Sequence, residues 1–423
     1  MLAACGTIAC APRLDGEAGP ASEAFPLGVA SGDTTPSGAV LWTRVASGRP
    51  VRATVWRADS TDDAAAAVVL VEPGDDGLVH LEVSGLSPGT WHRYRFAEWD
   101  GVSEGARSDE GRFRTALGPD DVAPLRVGAV SCTHQRFPLE PLLRAAERTD
   151  LDAFLVLGDY LYADGAKATG EFRQVWHQAL GRHPHQRLRA STSLIAAWDD
   201  HEVVDNFTGA DRNAPVAEGR ARFFDYQPVR RVADAPERLW RSLRWGRTAE
   251  FFVLDCRGER RPSEGRYVSD AQLDWLEGAL AQSPCAFKVV LNSVPITDFP
   301  GSLFGLQLHD RWQGYPAQRE RLLRFIDERR LGGVLWVSGD FHLGTVGRVS
   351  RQGPGAAAIE ALVGPGGQRG NVSPTYPSPP QFDFATAENN VVFIDLDPAT
   401  VTARLQYVSG AGAVLADRAY VLR

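Results

Sequence analysis

Through the first quarter of the chain, apolar and polar residues alternate one by one in short runs. Residues 39–44, 52–57, 78–83 and 91–96 share this period of two. Half-buried strands need it, because successive side chains point to opposite faces of a sheet. Turn residues part the runs: Pro36-Ser37-Gly38, Gly74-Asp75-Asp76-Gly77 and Ser87-Pro88-Gly89. Short strands at this spacing predict a small β-sandwich over residues 25–115. A Gly/Pro/Asp-rich linker follows at 116–123, and the pattern then changes. Continuous apolar runs at 125–130, 154–157, 194–197 and 334–337 predict fully buried strands. They alternate with helical periodicity over 138–148, 171–180, 270–282 and 316–330. That alternation predicts an α/β domain over 124–423. Strand patterns return at 357–363, 390–396, 401–408 and 413–421, and are expected to extend or back the central sheets. Four prolines between 374 and 380 predict an extended loop.

The chemistry-bearing residues stand where the buried runs end. Ser131-Cys132 closes the first, Gly158-Asp159 the second, Trp198-Asp199-Asp200-His201-Glu202 the third, and Gly339-Asp340-Phe341-His342 the fourth. Open α/β sheets build their sites outside the carboxyl ends of their strands. Tyr162 follows Asp159 by three residues, so a short turn returns its phenol to the same place; Tyr160 is the alternative. Thiolate, phenolate and carboxylate together suit a trivalent cation better than Zn(II). The expectation is Fe(III) held by Cys132, Asp159, Tyr162 and His342. Asp200 and Asp340 offer hard oxygen, so with a bridging Asp159 they suit a divalent ion: Ca(II), Mg(II) or Mn(II), with Zn(II) also open. His201, one residue past Asp200, is placed to contact a phosphoryl oxygen or to act as general acid. Arg257, at a further strand end, is expected to fork onto two phosphate oxygens; pairing with Asp255 or Glu259 is the plainer reading. Asp199 is expected to support His201 or a backbone turn. His177, His183 and His185 lack a carboxylate strand end beside them, and a solvated loop is expected for the close pair.

These blocks resemble a known family. Calcineurin-like phosphoesterases carry D-x-H, G-D-x-x-D, G-N-H-E and G-H-x-H blocks in this order, and purple acid phosphatases put Tyr in the second, as Gly158-Asp159-Tyr160-Leu161-Tyr162 does. Ser131-Cys132, Asp199-Asp200-His201-Glu202 and Gly339-Asp340-Phe341-His342 resemble the PhoD-type alkaline phosphatases. So do Gly28-Val29-Ala30-Ser31-Gly32-Asp33, Val40-Leu41-Trp42-Thr43-Arg44 and Leu254-Asp255-Cys256-Arg257. The resemblance implies a four-layer α/β/β/α metallophosphatase domain behind the β-sandwich. Leu86-Ser87-Pro88-Gly89-Thr90 resembles a fibronectin III corner, so that sandwich is expected to be fibronectin III/Ig-like. The implied activity is alkaline phosphatase action, the hydrolysis of phosphate monoesters or diesters by a metal-activated water, with Fe(III) and Ca(II). It also implies a phosphate contact for Asn206. A phospholipase D-like phosphodiesterase is the alternative within enzymes, and a catalytically silent polymer-binding protein the alternative outside them. The chain departs from the family at Cys256, where Thr is usual, and at Gly258-Glu259. No C-terminal helix over the site is expected from the last residues, Tyr420-Val421-Leu422-Arg423.

Charge and composition narrow the partners. A net charge of −8 over 423 residues argues against a nucleic-acid surface, so phosphate must be drawn by metals. Lys167 and Lys288 are the only lysines; the remaining cationic charge is Arg. No run of 18 apolar residues spans a membrane. Leu2-Ala3-Ala4-Cys5 has the form of a lipoprotein cleavage site, with Cys5 as lipid anchor, although no basic and apolar segment precedes it. Residues 1–24 are read as a tether or the remnant of an export signal, and the protein as exported: periplasmic, extracellular or lipid-anchored. Cys256 and Cys285 are expected as buried thiols, with a disulfide between them as the alternative in an oxidising compartment.

Overall fold

The computed structural model describes residues 22–60, 64–299, 308–371 and 380–423. The expected tether with Cys5, and residues 374–379 of the proline-rich loop, lie outside them. Among the described residues, 21 strands form three sheets, and six α-helices accompany them.

The chain opens with β1 (Val29–Thr35), β2 (Gly38–Arg44), β3 (Val51–Arg57), β4 (Ala67–Val71), β5 (Leu78–Val83), β6 (Trp91–Trp99), β7 (Glu104–Arg107) and β8 (Gly111–Arg114). One sheet runs β4–β3–β6–β7, with β8 also on β6. It packs on β1, β2 and β5 through Leu41, Val55, Leu81, Tyr94, Phe96 and Phe113, which gives the expected sandwich its core. The second sheet of that sandwich does not stop at residue 115, however. β1 pairs in parallel with β11 (Ser193–Ala197), so β1, β2 and β5 form one end of a nine-stranded sheet. The physical reason is visible in β1 itself. Val29 through Thr34 are all buried, as a strand covered on both faces must be.

The rest of the nine-stranded sheet comes from β9 (Leu125–Val130), β10 (Ala153–Leu157), β19 (Asn390–Asp397), β20 (Thr402–Ser409) and β21 (Val414–Val421). A seven-stranded sheet runs β12 (Arg241–Trp245), β13 (Ala249–Val253), β14 (Phe287–Asn292), β15 (Val334–Ser338), β17 (Ile359–Leu362), β16 (Gly344–Arg348) and β18 (Phe382–Thr386). The strand period of two divides its side chains between two cores. Val289, Leu291, Leu335 and Val337 join the core shared with the nine-stranded sheet. Val290 and Trp336 join a second core with Leu273, Leu276 and Leu322, from α5 (Asp270–Gln282) and α6 (Pro316–Glu328). On the far side, α1 (Glu140–Ala146), α2 (Thr169–Leu180), α3 (His183–Ser191) and α4 (Ala214–Tyr226) bury Leu142, Trp176, Leu188 and Phe223 against the nine strands. The order helix, sheet, sheet, helix is the four-layer arrangement.

Local signals explain the helix starts. The Ser269 side chain accepts the Gln272 amide at the head of α5, and Asn213 accepts that of Val216 at the head of α4. α3 corrects the reading of His183 and His185. They open a helix instead of a solvated loop, because Pro184 in a first turn has no amide to lose there. His185 is fully buried. Cys256 and Cys285 are buried free thiols, and no disulfide joins them.

Candidate metal centre

β9, β10 and β11 are parallel neighbours, so their carboxyl ends lie side by side. The end of β15 approaches them closely. A Cβ on Gly339 would stand 2.5 Å from the Cβ of Ser131 and 2.8 Å from the carbonyl oxygen of Leu157, so only glycine lets the two sheets meet here. The residues leaving these ends turn left-handed: φ is 57° at Cys132, 54° at Asp159, 68° at Asp340 and 51° at His342. Such backbone is costly for residues with a Cβ and persists where surrounding bonds impose it. Two of those bonds come from Glu202, whose buried carboxylate accepts the amides of Tyr160 at 2.6 Å and Asp199 at 3.0 Å. The sharp exits aim the side chains inward.

Cys132, Asp159 and His342 present ligand atoms all within 4.8 Å of one another, as do Asp159, Asp200 and His201, and Asp159, Asp199, Asp200 and Asp340. Asp159 belongs to every group, the position of a bridging carboxylate. The Tyr162 hydroxyl donates to Asp159 Oδ2 at 3.2 Å and lies 3.0 Å from His342 Nε2, so Tyr162 joins the first group. Cys132 Sγ stands 3.6 Å from the same Asp159 oxygen. Tyr160 points elsewhere; its ring packs edge-on against His185.

Electrostatics show what the cluster lacks. Oδ1 of Asp159 and Oδ1 of Asp200 are buried with no hydrogen-bond partner, a costly arrangement for carboxylates. Burial and the neighbouring Asp199 and Glu202 carboxylates raise the Asp159 pKa to about 7. Asp200 and Asp340 are pushed well above the usual carboxylate range by burial and crowding among acids. Burial and Asp159 likewise raise the Cys132 thiol and the Tyr162 phenol. Burial lowers His342 to about 4, which leaves a neutral imidazole. Crowded acids with orphaned oxygens, beside a thiol, a phenol and a neutral imidazole, fit cations: positive charge favours the ionised form of each acid, and the imidazole is already in its ligating form. The donor set fits an asymmetric pair, with sulfur and nitrogen donors near Cys132 and His342, and mainly carboxylate oxygens, with the His201 ring beside them, around Asp200 and Asp340.

Around the cluster the structure departs from the sequence reading. The fork of Arg257 is engaged by Asp199, with Nε and Nη2 at 2.9 and 2.8 Å from its two oxygens. Its remaining Nη1 donates to Asp310. Arg257 therefore pairs with neither Asp255 nor Glu259 through its side chain, and Asp199 supports Arg257 instead of His201. The partner of His201 is Asp164, 2.9 Å from Nδ1. Asn206 turns its amide group to Asp205 at 3.0 Å; its backbone N–H holds Asp200 Oδ2 at 2.7 Å. Asp164, Arg260, Asp310 and His134 carry no local signal in the sequence, whereas Glu202 carries one as the last residue of its block. The His134 ring stacks on Tyr162 at 4.5 Å, and His201 stacks on Tyr162 at 4.1 Å.

Two family descriptions match the chain: PhoD-like phosphatase over residues 127–404, and PhoD-like phosphatase, N-terminal domain, over residues 9–117. Among curated proteins it is similar to alkaline phosphatase D of Bacillus subtilis (strain 168), with 28% identity over 381 residues. That match covers 75% of this chain, and the chain spans 64% of the length of that relative. A solved structure described as PhoD superposes with a TM-score of 0.80 at 22% identity, over 96% of this chain and 90% of the other. The purple acid phosphatase PPD1 from yellow lupin (Lupinus luteus) seeds superposes with a TM-score of 0.68 at 15% identity, over 93% and 73%. At these identities the two structures speak for a shared fold.

Proposed function

The chain belongs to the PhoD-like phosphatase family, and from that premise we propose that it hydrolyses phosphate esters at the centre between its two sheets. One observation carries the proposal. Donors from four strand ends converge on Asp159, and Oδ1 of Asp159 and Oδ1 of Asp200 are buried with no hydrogen-bond partner among the described residues. In this reading Cys132, Asp159, Tyr162 and His342 hold Fe(III), and Asp159, Asp200 and Asp340 hold Ca(II). A cation pair held there would supply polarisation of phosphoryl oxygens and a water of lowered pKa.

The chain's own residues supply the rest. Asp164 takes the Nδ1 side of His201, which leaves Nε2 for the leaving oxygen. Burial lowers the His201 pKa, but Asp159, Asp164 and Asp200 outweigh it and hold the ring protonated, at about 11. Cations on Asp159 and Asp200 would loosen that hold and leave Asp164 as the partner, which brings His201 towards the range of a working general acid. Arg257 fixes Asp199 and lies 3.5 Å from Asp200 and 3.7 Å from Asp340. Asn206 positions Asp200 through its backbone.

Export belongs to the same reading on sequence grounds: periplasmic, extracellular or lipid-anchored, the last through Cys5. No helix among the described residues is long and apolar enough to cross a membrane. The test is hydrolysis of phosphate mono- and diesters before and after chelation. Activity should vanish with calcium removed and iron retained, and return when Ca(II) is added. No hydrolysis of either ester by fully metallated protein would overturn the proposal.

A further inference from the structure

Arg257 and Arg260 leave the end of β13 on one turn, and both are fully buried. Asp199 takes two of the donor positions of Arg257; the third, Nη1, donates to Oδ1 of Asp310. Arg260 sends its own Nη1 to the same oxygen at 2.7 Å. Its Nε is fixed by the Cys256 carbonyl at 2.9 Å and its Nη2 by the Tyr267 hydroxyl at 3.1 Å. Two guanidinium groups thus converge on one carboxylate oxygen, a geometry suited equally to an oxygen of phosphate. Their meeting point borders the metal centre, because Arg257 Nη2 is 3.5 Å from Asp200 and 3.7 Å from Asp340.

Asp310 is the member that water reaches: its side chain is 22% exposed, against 0% for Arg257 and 1% for Arg260. It sits on the short turn Leu308–Asp310, whose neighbour Trp312 is buried against Tyr267 and bonded to Asn292. The backbone is therefore held, and rotation of one side chain into solvent frees the oxygen position. Arg257 does not require Asp310 for neutrality, since Asp199 already pairs with it. Asp310 instead adds a carboxylate on Arg257, around which Asp199, Asp200 and Asp340 already lie.

We infer that Nη1 of Arg257 and Nη1 of Arg260 form a further oxyanion-binding point beside the metals, for a phosphoryl oxygen of the substrate, and that Asp310 holds this point until an anion displaces it. The inference rests on the phosphate-ester reading of the centre. Asp310 is then an internal competitor that weakens phosphate binding and favours release of product. If the clamp is open in about a tenth of molecules, removing the competitor tightens apparent binding about tenfold.

The test is titration of metal-loaded protein with inorganic phosphate by calorimetry. Asp310→Asn and Asp310→Ser should each bind phosphate about tenfold more tightly than wild type, and Asp310→Glu should not. Arg260→Gln in the Asp310→Asn background should cancel the gain, which places the effect at the clamp and not at the metals. Unchanged or weaker binding in both Asp310→Asn and Asp310→Ser would make Asp310 a structural counter-ion of Arg260 and overturn the inference. Ester hydrolysis by wild type is measured alongside. Its absence would sink the functional reading itself, whereas its presence without tightening sinks only this inference.

Discussion

Arg257→Met removes a guanidinium from the core while leaving a side chain of similar length. Arg257 and Asp199 are both fully buried and joined by two bonds of 2.9 and 2.8 Å. Without Arg257, Asp199 keeps the Ser293 hydroxyl at 2.8 Å as its side-chain donor, and Asp200, Asp310 and Asp340 lose a neighbouring cation. Removing one partner of a buried ion pair costs about 3–5 kcal/mol. The loss should depend on metal. Cations bound to Asp159, Asp200 and Asp340 place positive charge in the same recess and stabilise the folded state by mass action. Urea unfolding followed by tryptophan fluorescence should therefore show the larger loss in chelator and a smaller one with metals saturating. Asp199→Asn combined with Arg257→Met should recover much of the stability, because Asp199 is then no longer a buried charge that has lost its two-bond partner. A loss below about 1 kcal/mol in chelator, the scale of a surface pair, would refute the reasoning. So would a double variant as unstable as the two single losses added together.

Two other outcomes follow from the geometry. His201→Ala should slow hydrolysis of alkyl phosphate esters by roughly 10²–10⁴ and of nitrophenyl esters far less, with metal content unchanged; equal losses on both would make His201 a contact and not an acid. Asp76 accepts from the Tyr226 hydroxyl at 2.6 Å and from Arg44 at 3.1 Å, and lies 2.7 Å from His177 Nε2. Burial raises its pKa, but these bonds outweigh it and bring it from 3.8 to about 2. A depressed carboxyl contributes stability that is complete above its unfolded value and lost as pH falls through its folded one. Thermal midpoints of wild type and Asp76→Asn should therefore differ at neutral pH and converge as pH falls to about 2; a gap that widens in acid would contradict this.

What the sequence shows and hides follows from the range of each interaction. The strand ends at Cys132, Asp159, Asp200 and Asp340 are legible because a buried parallel strand is a short apolar run, and the polar residue after it stands out. α5 is legible to the residue, since Ser269 caps one end and the apolar spacing stops at the other. The parallel pairing of β1 with β11 joins residues more than 150 positions apart, and nothing local in either strand announces it. α4 is not legible, because Arg220 and Arg222 interrupt its apolar face, although the Asn213 cap is present. The partners of Arg257 are hidden for the same reason. Asp255 and Glu259 are near in sequence, whereas Asp199 and Asp310 are brought to it only by the folding of other strand ends.

The two-cation centre is tested most directly by metal analysis with visible absorption on the purified protein and on Tyr162→Phe. The account predicts one iron and one divalent ion per chain, a coloured protein through charge transfer from Tyr162 and Cys132, and a band shifted or lost in the variant with the fold retained. A colourless protein, fully active with zinc alone and indifferent to Tyr162→Phe, would contradict it.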